Sequence, residues 1–350
     1  MKRAVLYFIC LAVLIFSCGK QEKTAQPKEI KESVGLFPIH QNDKYGYIDK
    51  IGKLVINPQF DWAYYFSEGL ARVQLGDKYG YIDKAGKYVI KPQFDLAMEF
   101  SEGLARIKIG VKYGYIDRTG KIVINPEFDD ADDFSEGRAR VTIGRKFGYI
   151  DKTGKYVINP QFDFAWNFSE GLAAVNIGGF LFGKWGYIDK AGKYVIKPQF
   201  DLAMEFSEGL ASVIIGGEPN EFGLIVGGKF GYIDKTGKFV INPQFDLAME
   251  FSEGLARIKI GVKYGYIDRT GKIVINPEFD EAGEDYKFSE GLAKVRVDGK
   301  YGFIDKAGKY VINPQFDWAY NFSQGLAQVG IDVKGGYIDK TGKYVWKPTE

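Results

Sequence analysis

The sequence predicts an all-β fold, a tandem array of about nine short β-meanders. Three observations carry the prediction. One unit is written again and again along most of the 350 residues. Apolar and polar side chains alternate within it. Gly and Pro recur at fixed points of every copy, where they would break helices but punctuate strands. High aromatic content and 44 glycines agree with strands and tight turns.

The unit is seen most clearly from Lys78: Lys-Tyr-Gly-Tyr-Ile-Asp-Lys-Ala-Gly-Lys-Tyr-Val-Ile-Lys-Pro-Gln-Phe-Asp, followed by Leu-Ala-Met-Glu-Phe-Ser-Glu-Gly-Leu-Ala-Arg-Ile-Lys-Ile-Gly-Val. Copies begin at Lys44, Lys78, Lys112, Lys146, Lys184, Lys229, Lys263, Lys300 and Lys334, mostly 34 residues apart. Extra residues precede Lys184, Lys229 and Lys300 and are expected at one recurring point, the longest over residues 216–228. Residues 92–129 and 243–280 read identically, as suits units that each meet only their neighbours.

Each element has a local cause. Residues 79–83 and 104–109 alternate, and residues 88–90 are aromatic and β-branched, so these are strands of five or six residues. Asp83 caps a hairpin turn with its carboxylate and Gly86 takes the left-handed position. Pro92 ends the second strand, and residues 100–103 turn the chain into a third. One unit therefore reads as a three-stranded meander with one longer connection. The recurring Tyr79, Tyr81, Phe94 and Phe100 read as core between units.

The last copy stops after Pro348 with two strands, whereas residues 33–43 align without gaps on residues 67–77. The body, 33–350, thus begins with a third strand and ends with the first two, and residues 33–43 complement the last partial repeat. That offset favours a closed, propeller-like toroid, which leaves no exposed sheet edge at its ends; an open β superhelix is the alternative.

The N-terminus reads differently. Met1-Lys2-Arg3 is basic, residues 4–16 are apolar, and Ser17-Cys18 follows. This has the charge and length of a secretory signal, residues 1–17, too short to span a bilayer as a mature helix. A small residue before cysteine resembles the lipobox of bacterial lipoproteins, which implies diacylglyceryl transfer to the Cys18 sulfur and cleavage before it. Residues 18–32 are polar and read as a flexible tether.

Composition narrows the chemistry. The chain has 47 basic and 45 acidic side chains, and removing Lys2 and Arg3 with a leader leaves the two equal. No basic block marks a nucleic-acid binder. Cys10 and Cys18 are the only cysteines and His40 the only histidine, so neither a His/Cys zinc site nor a histidine-based triad fits the body. Two recurring acids, the series of Asp83 and the series of Asp95, offer one or two oxygens per turn, too few for calcium; both are expected to cap their own turns. The acidic clusters at 129–133 and at Glu281, Glu284 and Asp285 read as solvated loops. No catalytic residue, metal ligand or cofactor is expected.

The pattern [Trp/Tyr/Phe]-Gly-[Tyr/Phe]-Ile-Asp-x-x-Gly-Lys-x-Val-Ile-x-Pro-x-Phe-Asp, with Ser-Glu-Gly-Leu-Ala later, resembles the WG repeat, including the KWG version abundant in Leptospira. Lys184-Trp185-Gly186 matches it literally, and Lys334-Gly335-Gly336 has lost the aromatic. The resemblance covers nearly everything from Lys44 and implies an all-β repeat domain, often exported or on the cell surface. It brings no activity, cofactor or catalytic residue.

Positions that vary between copies remain as candidate ligand contacts: Trp62 and Tyr64, Phe164 and Trp166, Trp318 and Tyr320, with Gln59, Gln315 and Asn321 beside them. In a closed ring the first and eighth copies would set two Trp–Tyr pairs on one sector of one face. His40 reads as an ordinary strand residue. The expectation is a non-catalytic lipoprotein, exported and anchored to a bacterial membrane (outer membrane or cell surface in a diderm). It would act as a binding or scaffolding module for protein partners; the alternative is a lectin-like protein holding glycan or peptidoglycan through the variable aromatics.

Overall fold

The structure is a computed structural model and describes residues 35–179, 183–220, 225–280, 286–332 and 334–347. Those residues form strands and turns throughout, arranged as small antiparallel sheets that follow one another as the blades of a nine-bladed β-propeller. The signal segment, Cys18 and the tether lie outside the described residues, as do Glu281, Glu284 and Asp285.

Blade I holds β1 (Phe37–Gln41), β2 (Lys44–Ile48) and β3 (Leu54–Phe60). Blade II holds β4 (Trp62–Ser67), β5 (Leu70–Leu75), β6 (Lys78–Ile82) and β7 (Tyr88–Phe94). Blade III holds β8 (Leu96–Ser101), β9 (Leu104–Ile109), β10 (Lys112–Asp117) and β11 (Ile122–Phe128). Blades IV, V, VI, VII and IX cover residues 130–162, 164–200, 202–245, 247–279 and 318–346 in the same four-strand order, and blade VIII, residues 292–316, holds three strands among the described residues. The first strands β4 and β8 lie against one another across the blade boundary, which puts the first strand of each blade at the hub.

The expected three-stranded unit is thus corrected to a four-stranded blade. The stretch after Phe-Asp is not a connection: Trp62 pairs with Gln74 and Ala63 with Val73, so it adds a strand, and the bulge that follows hid its alternation. Extra residues also enter at two points, not one. Those near 179 and 216–228 lengthen the turn between second and third strands, the latter with a small hairpin, whereas those before Phe288 fall after Asp280, at the first strand.

The phase of the blade explains how the ring closes. A sequence unit beginning at Lys78 gives its first two strands to blade II and the rest to blade III. β1 accordingly stands where the ninth unit would place its fourth strand, as the second strand of the blade that follows blade IX. The two are joined by packing between blades, because β1 hydrogen-bonds to its hairpin partner β2. Phe37 and Ile39 pack with Leu326 and Tyr337, and Tyr337 donates to the Pro38 carbonyl at 2.8 Å. The closed toroid is the architecture observed.

Each blade boundary is an apolar layer with repeated polar staples. Tyr81 is fully buried, its ring 4.9 Å from Phe100, and its hydroxyl donates to the Met98 carbonyl at 2.7 Å. Ser67 Oγ donates to the Phe100 carbonyl at 2.7 Å, and Ser101 repeats this to Phe134 at 2.6 Å. Glu68 accepts from the Glu102 and Gly103 amides, and Glu102 from the Gly137 amide. Ser-Glu-Gly is therefore both a turn and a clasp on the next blade.

The glycine after the aromatic has a different cause. Tyr79 pairs with Phe94 and Tyr81 with Ile90, so β7 bulges around Pro92 opposite Gly80. A Cβ on Gly80 would lie 2.6 Å from the Pro92 nitrogen, and only glycine permits that approach.

A candidate binding face at the ring seam

The recurring acids are used up by structure, in two ways. Asp83 Oδ1 accepts from the Ala85 and Lys87 amides at 2.9 and 3.0 Å, so this series caps its own turn as expected. The series of Asp95 does not. Asp61 takes Lys44 Nζ at 2.5 Å with one oxygen and the Gly76 amide at 2.6 Å with the other, clamping the next blade's hairpin turn. The lysine bond first, and the amide second, hold its carboxyl below the ordinary aspartate value. Sequence could not show this clamp because its partners lie 15 and 17 positions away.

A second set of charges surrounds the hub. Arg72, Arg106 and Arg140, all buried in second strands, donate to the carbonyls of Ala97, Ala131 and Ala165 in the next blade; Lys294 does the same to Ala319 at 3.1 Å. Arg72 lies 3.3 Å from Glu99, and Arg106 lies 3.6 Å from both Asp132 and Asp133. The cluster at 129–133 is therefore no solvated loop: Asp132 is buried and meets Arg140 at 2.6 Å. Burial pushes the Asp133 carboxyl up to about 6, with Arg106 opposing. It pushes Glu205 up to about 8, with the Glu250 charge adding to it.

This ladder corrects one pair of candidates. Ala174 stands where the arginine would be, and Trp166 makes the missing bond instead, its indole Nε1 donating to the Ala203 carbonyl at 3.1 Å. Trp166 is buried and stacks on Trp185 at 6.2 Å, with Phe164 half-buried against the same cluster. Neither forms an exposed ligand contact. An indole that supplies both apolar area and one donor fills the space of an absent guanidinium.

The other two pairs lie on blades II and IX, either side of blade I. Trp62 is 46% exposed, and its ring lies 4.8 Å from Tyr45, which lies 4.7 Å from His40. Tyr64 is half-buried 6.4 Å from Trp62, with the Arg72 guanidinium 3.5 Å over its ring, and so forms the support of the patch. From blade IX, Tyr320 is 59% exposed; burial first, and the Tyr320 phenol second, raise the Tyr45 pKa. Trp318 lies 6.0 Å from Tyr320 over the cross-strand pair Gly330 and Gly335. A Cβ at Gly330 would collide with the indole, and one at Gly335 would lie 2.8 Å from it. The aromatic lost from the ninth copy has made a flat seat for Trp318.

Sequence reading missed the part played by His40 and Tyr45, since neither stands at a variable aromatic position of the unit. It also misplaced two amides: Gln59 and Gln315 turn back to the Asn57 and Asn313 carbonyls on their own strands, each at 3.3 Å.

A ring of such repeated blades is a β-propeller, a repeat fold consistent with a binding or scaffolding module. The model of the WG containing repeat matches residues 45–79, 79–113, 113–147, 147–179, 185–218, 230–264, 264–301 and 301–332. The chain belongs to that family. Among solved structures it is similar to one described as the crystal structure of the eukaryotic initiation factor, at 11% identity over 91% of this chain and 98% of that one, with a TM-score of 0.63. It also matches Citrobacter koseri AztD at 13% identity over 90% and 93% of the two chains, with a TM-score of 0.44. At these identities the first likeness shows the fold alone. No curated protein matches the chain.

Proposed function

We propose that this propeller is a non-catalytic binding or scaffolding module of the bacterial cell envelope, held to a membrane by lipid on Cys18 and engaging its ligand at the seam face. One observation carries the reading. The repeated polar side chains are committed to clasps between and within blades, whereas Trp62 and Tyr320, at positions that vary between copies, stand exposed on the blades either side of blade I. The recurring carboxylates hold lysines and backbone amides, which speaks for a structural rather than a catalytic use of them.

The geometry also suits a tethered protein. The chain enters at Gly35, beside Lys50 and Gln324, and β1 then runs to the turn at Asn42 and Asp43. A strand of that length crosses about 17 Å, so the aromatic patch near the turn faces away from the point of entry. The chain between Cys18 and Gly35 reaches up to about 60 Å when extended, enough to hold that face clear of a bilayer.

The test is metabolic labelling with an alkyne fatty acid in a bacterial host. The full chain should take up label and sediment with membranes, and Cys18→Ser should do neither. A Cys18→Ser chain that is still labelled, or a wild-type chain that is never labelled, would overturn the lipid anchor. Exposed tryptophan and tyrosine anchor proteins and sugars alike, and the charges around them separate the two.

A further inference from the structure

We infer that the seam patch takes an uncharged oligosaccharide, its sugar rings stacked on Trp62, Tyr45 and Tyr320. This rests on the binding function proposed above and names its ligand class.

Charge gives the first argument. The cations bordering the patch already have partners: Lys44 holds Asp61 at 2.5 Å, Lys300 holds Asp317 at 2.5 Å, and Arg72 holds Glu99 at 3.3 Å. Asp61 and Asp317 each also accept a backbone amide, at 2.6 and 2.7 Å. A charged ligand would compete with bonds the blade needs, whereas a neutral one leaves them intact.

Shape gives the second. The rings of His40, Tyr45 and Trp62 follow one another at 4.7 and 4.8 Å, but each is turned from the last by 47° and 41°. They form a run of touching facets of differing tilt, and not the flat continuous face that a helix or strand would cover. A pyranose offers the complement, a patch of C–H groups on its face and hydroxyls around its edge. Gln74, directly across from Trp62 on the neighbouring strand, donates its amide to the Gly76 carbonyl at 3.0 Å, which leaves its side-chain oxygen to accept from a sugar hydroxyl at that edge.

Preorganisation gives the third. The facets are fixed before any ligand arrives: Tyr64 and Arg72 support Trp62 from below, and the glycine bed holds Trp318 beside Tyr320. Rings fixed in this way lose little freedom on binding.

Intrinsic tryptophan fluorescence tests the inference. The full chain in detergent micelles is titrated with neutral hexasaccharides of glucose, xylose and N-acetylglucosamine, each in millimolar steps. At least one should bind saturably. Trp62→Ala and Tyr320→Ala should each weaken that binding tenfold or more without a change in melting temperature, Trp62→Phe should restore most of it, and Ile51→Ser, near the point of chain entry, should leave it unchanged. Glycan binding indifferent to Trp62 and Tyr320 would overturn the assignment to this face. No glycan binding, together with retention of an envelope protein that Trp62→Ala abolishes, would overturn the sugar and keep the binding face. Retention of neither would overturn both.

Discussion

Replacing Glu205 by glutamine tests the account of the hub. Burial and the Glu250 charge together raise the Glu205 carboxyl from 4.5 to about 8, against a bond from the Asn167 amide at 3.1 Å. The neighbouring blades give the reason. Glu99 faces Arg72 and Asp133 faces Arg106, whereas the equivalent residue toward Glu205 is Ala174. An acid raised in this way binds a proton in the folded chain that the unfolded chain has released. Its contribution is fully present below about pH 4.5 and is lost as pH rises through about 8.

Each tenfold change in proton affinity corresponds to roughly 1.4 kcal/mol, so the loss across the window is a few kcal/mol after allowance for the water that reaches a half-buried group. Glutamine keeps the oxygen that accepts from Asn167 and carries no charge. Melting followed by circular dichroism should therefore give equal midpoints for the wild type and Glu205→Gln at pH 5, with the variant about 5 °C or more higher at pH 9. Combining Trp166→Met with Ala174→Arg should flatten the wild-type pH dependence in the same direction. A Glu205→Gln chain displaced by the same amount at pH 5 and pH 9 would refute the reasoning, since a purely steric role has no such dependence.

Trp166→Phe should cost about 1–3 kcal/mol in denaturant midpoint, because the Ala203 carbonyl loses its donor, and should leave ligand capture unchanged; an unchanged midpoint would mean the indole is not structural. Ser101→Ala should cost roughly 1 kcal/mol by stranding the Phe134 carbonyl between blades III and IV, measured by urea unfolding. Gly335→Tyr restores the aromatic other units carry, but drives it into Trp318, and should destabilise by about 1–3 kcal/mol or displace the indole, visible as a shift in its emission. X-ray scattering should show a compact disc, and an elongated particle would mean that the seam between Tyr337 and Pro38 is open.

What could be read in advance was whatever the unit determines within itself. Strands, the Asp83 turn and the closed ring follow from period, local turn chemistry and the offset of the two ends. The fourth strand escaped because its pairing jumps from Ala63↔Val73 to Phe66↔Ala71, a break in alternation that looks like a loop in one dimension. The Asp95 clamp, the serine and glutamate clasps and the arginine ladder escaped because each joins residues at least 15 positions apart. Residues 92–129 and 243–280 show the same boundary with the sequence held constant. The two segments are identical, yet Met98 is buried and Met249 is only half-buried. The difference lies in the preceding blade: Arg72 reaches across to Met98 Sδ at 3.2 Å, and Ser212 stands at the corresponding place before Met249. A repeat thus fixes its own backbone, while the neighbour decides what its side chains meet. For that reason candidate sites in such a ring are better sought at boundaries where unlike neighbours meet than within the most unusual unit, and the seam, where blade IX meets blade I, is such a boundary.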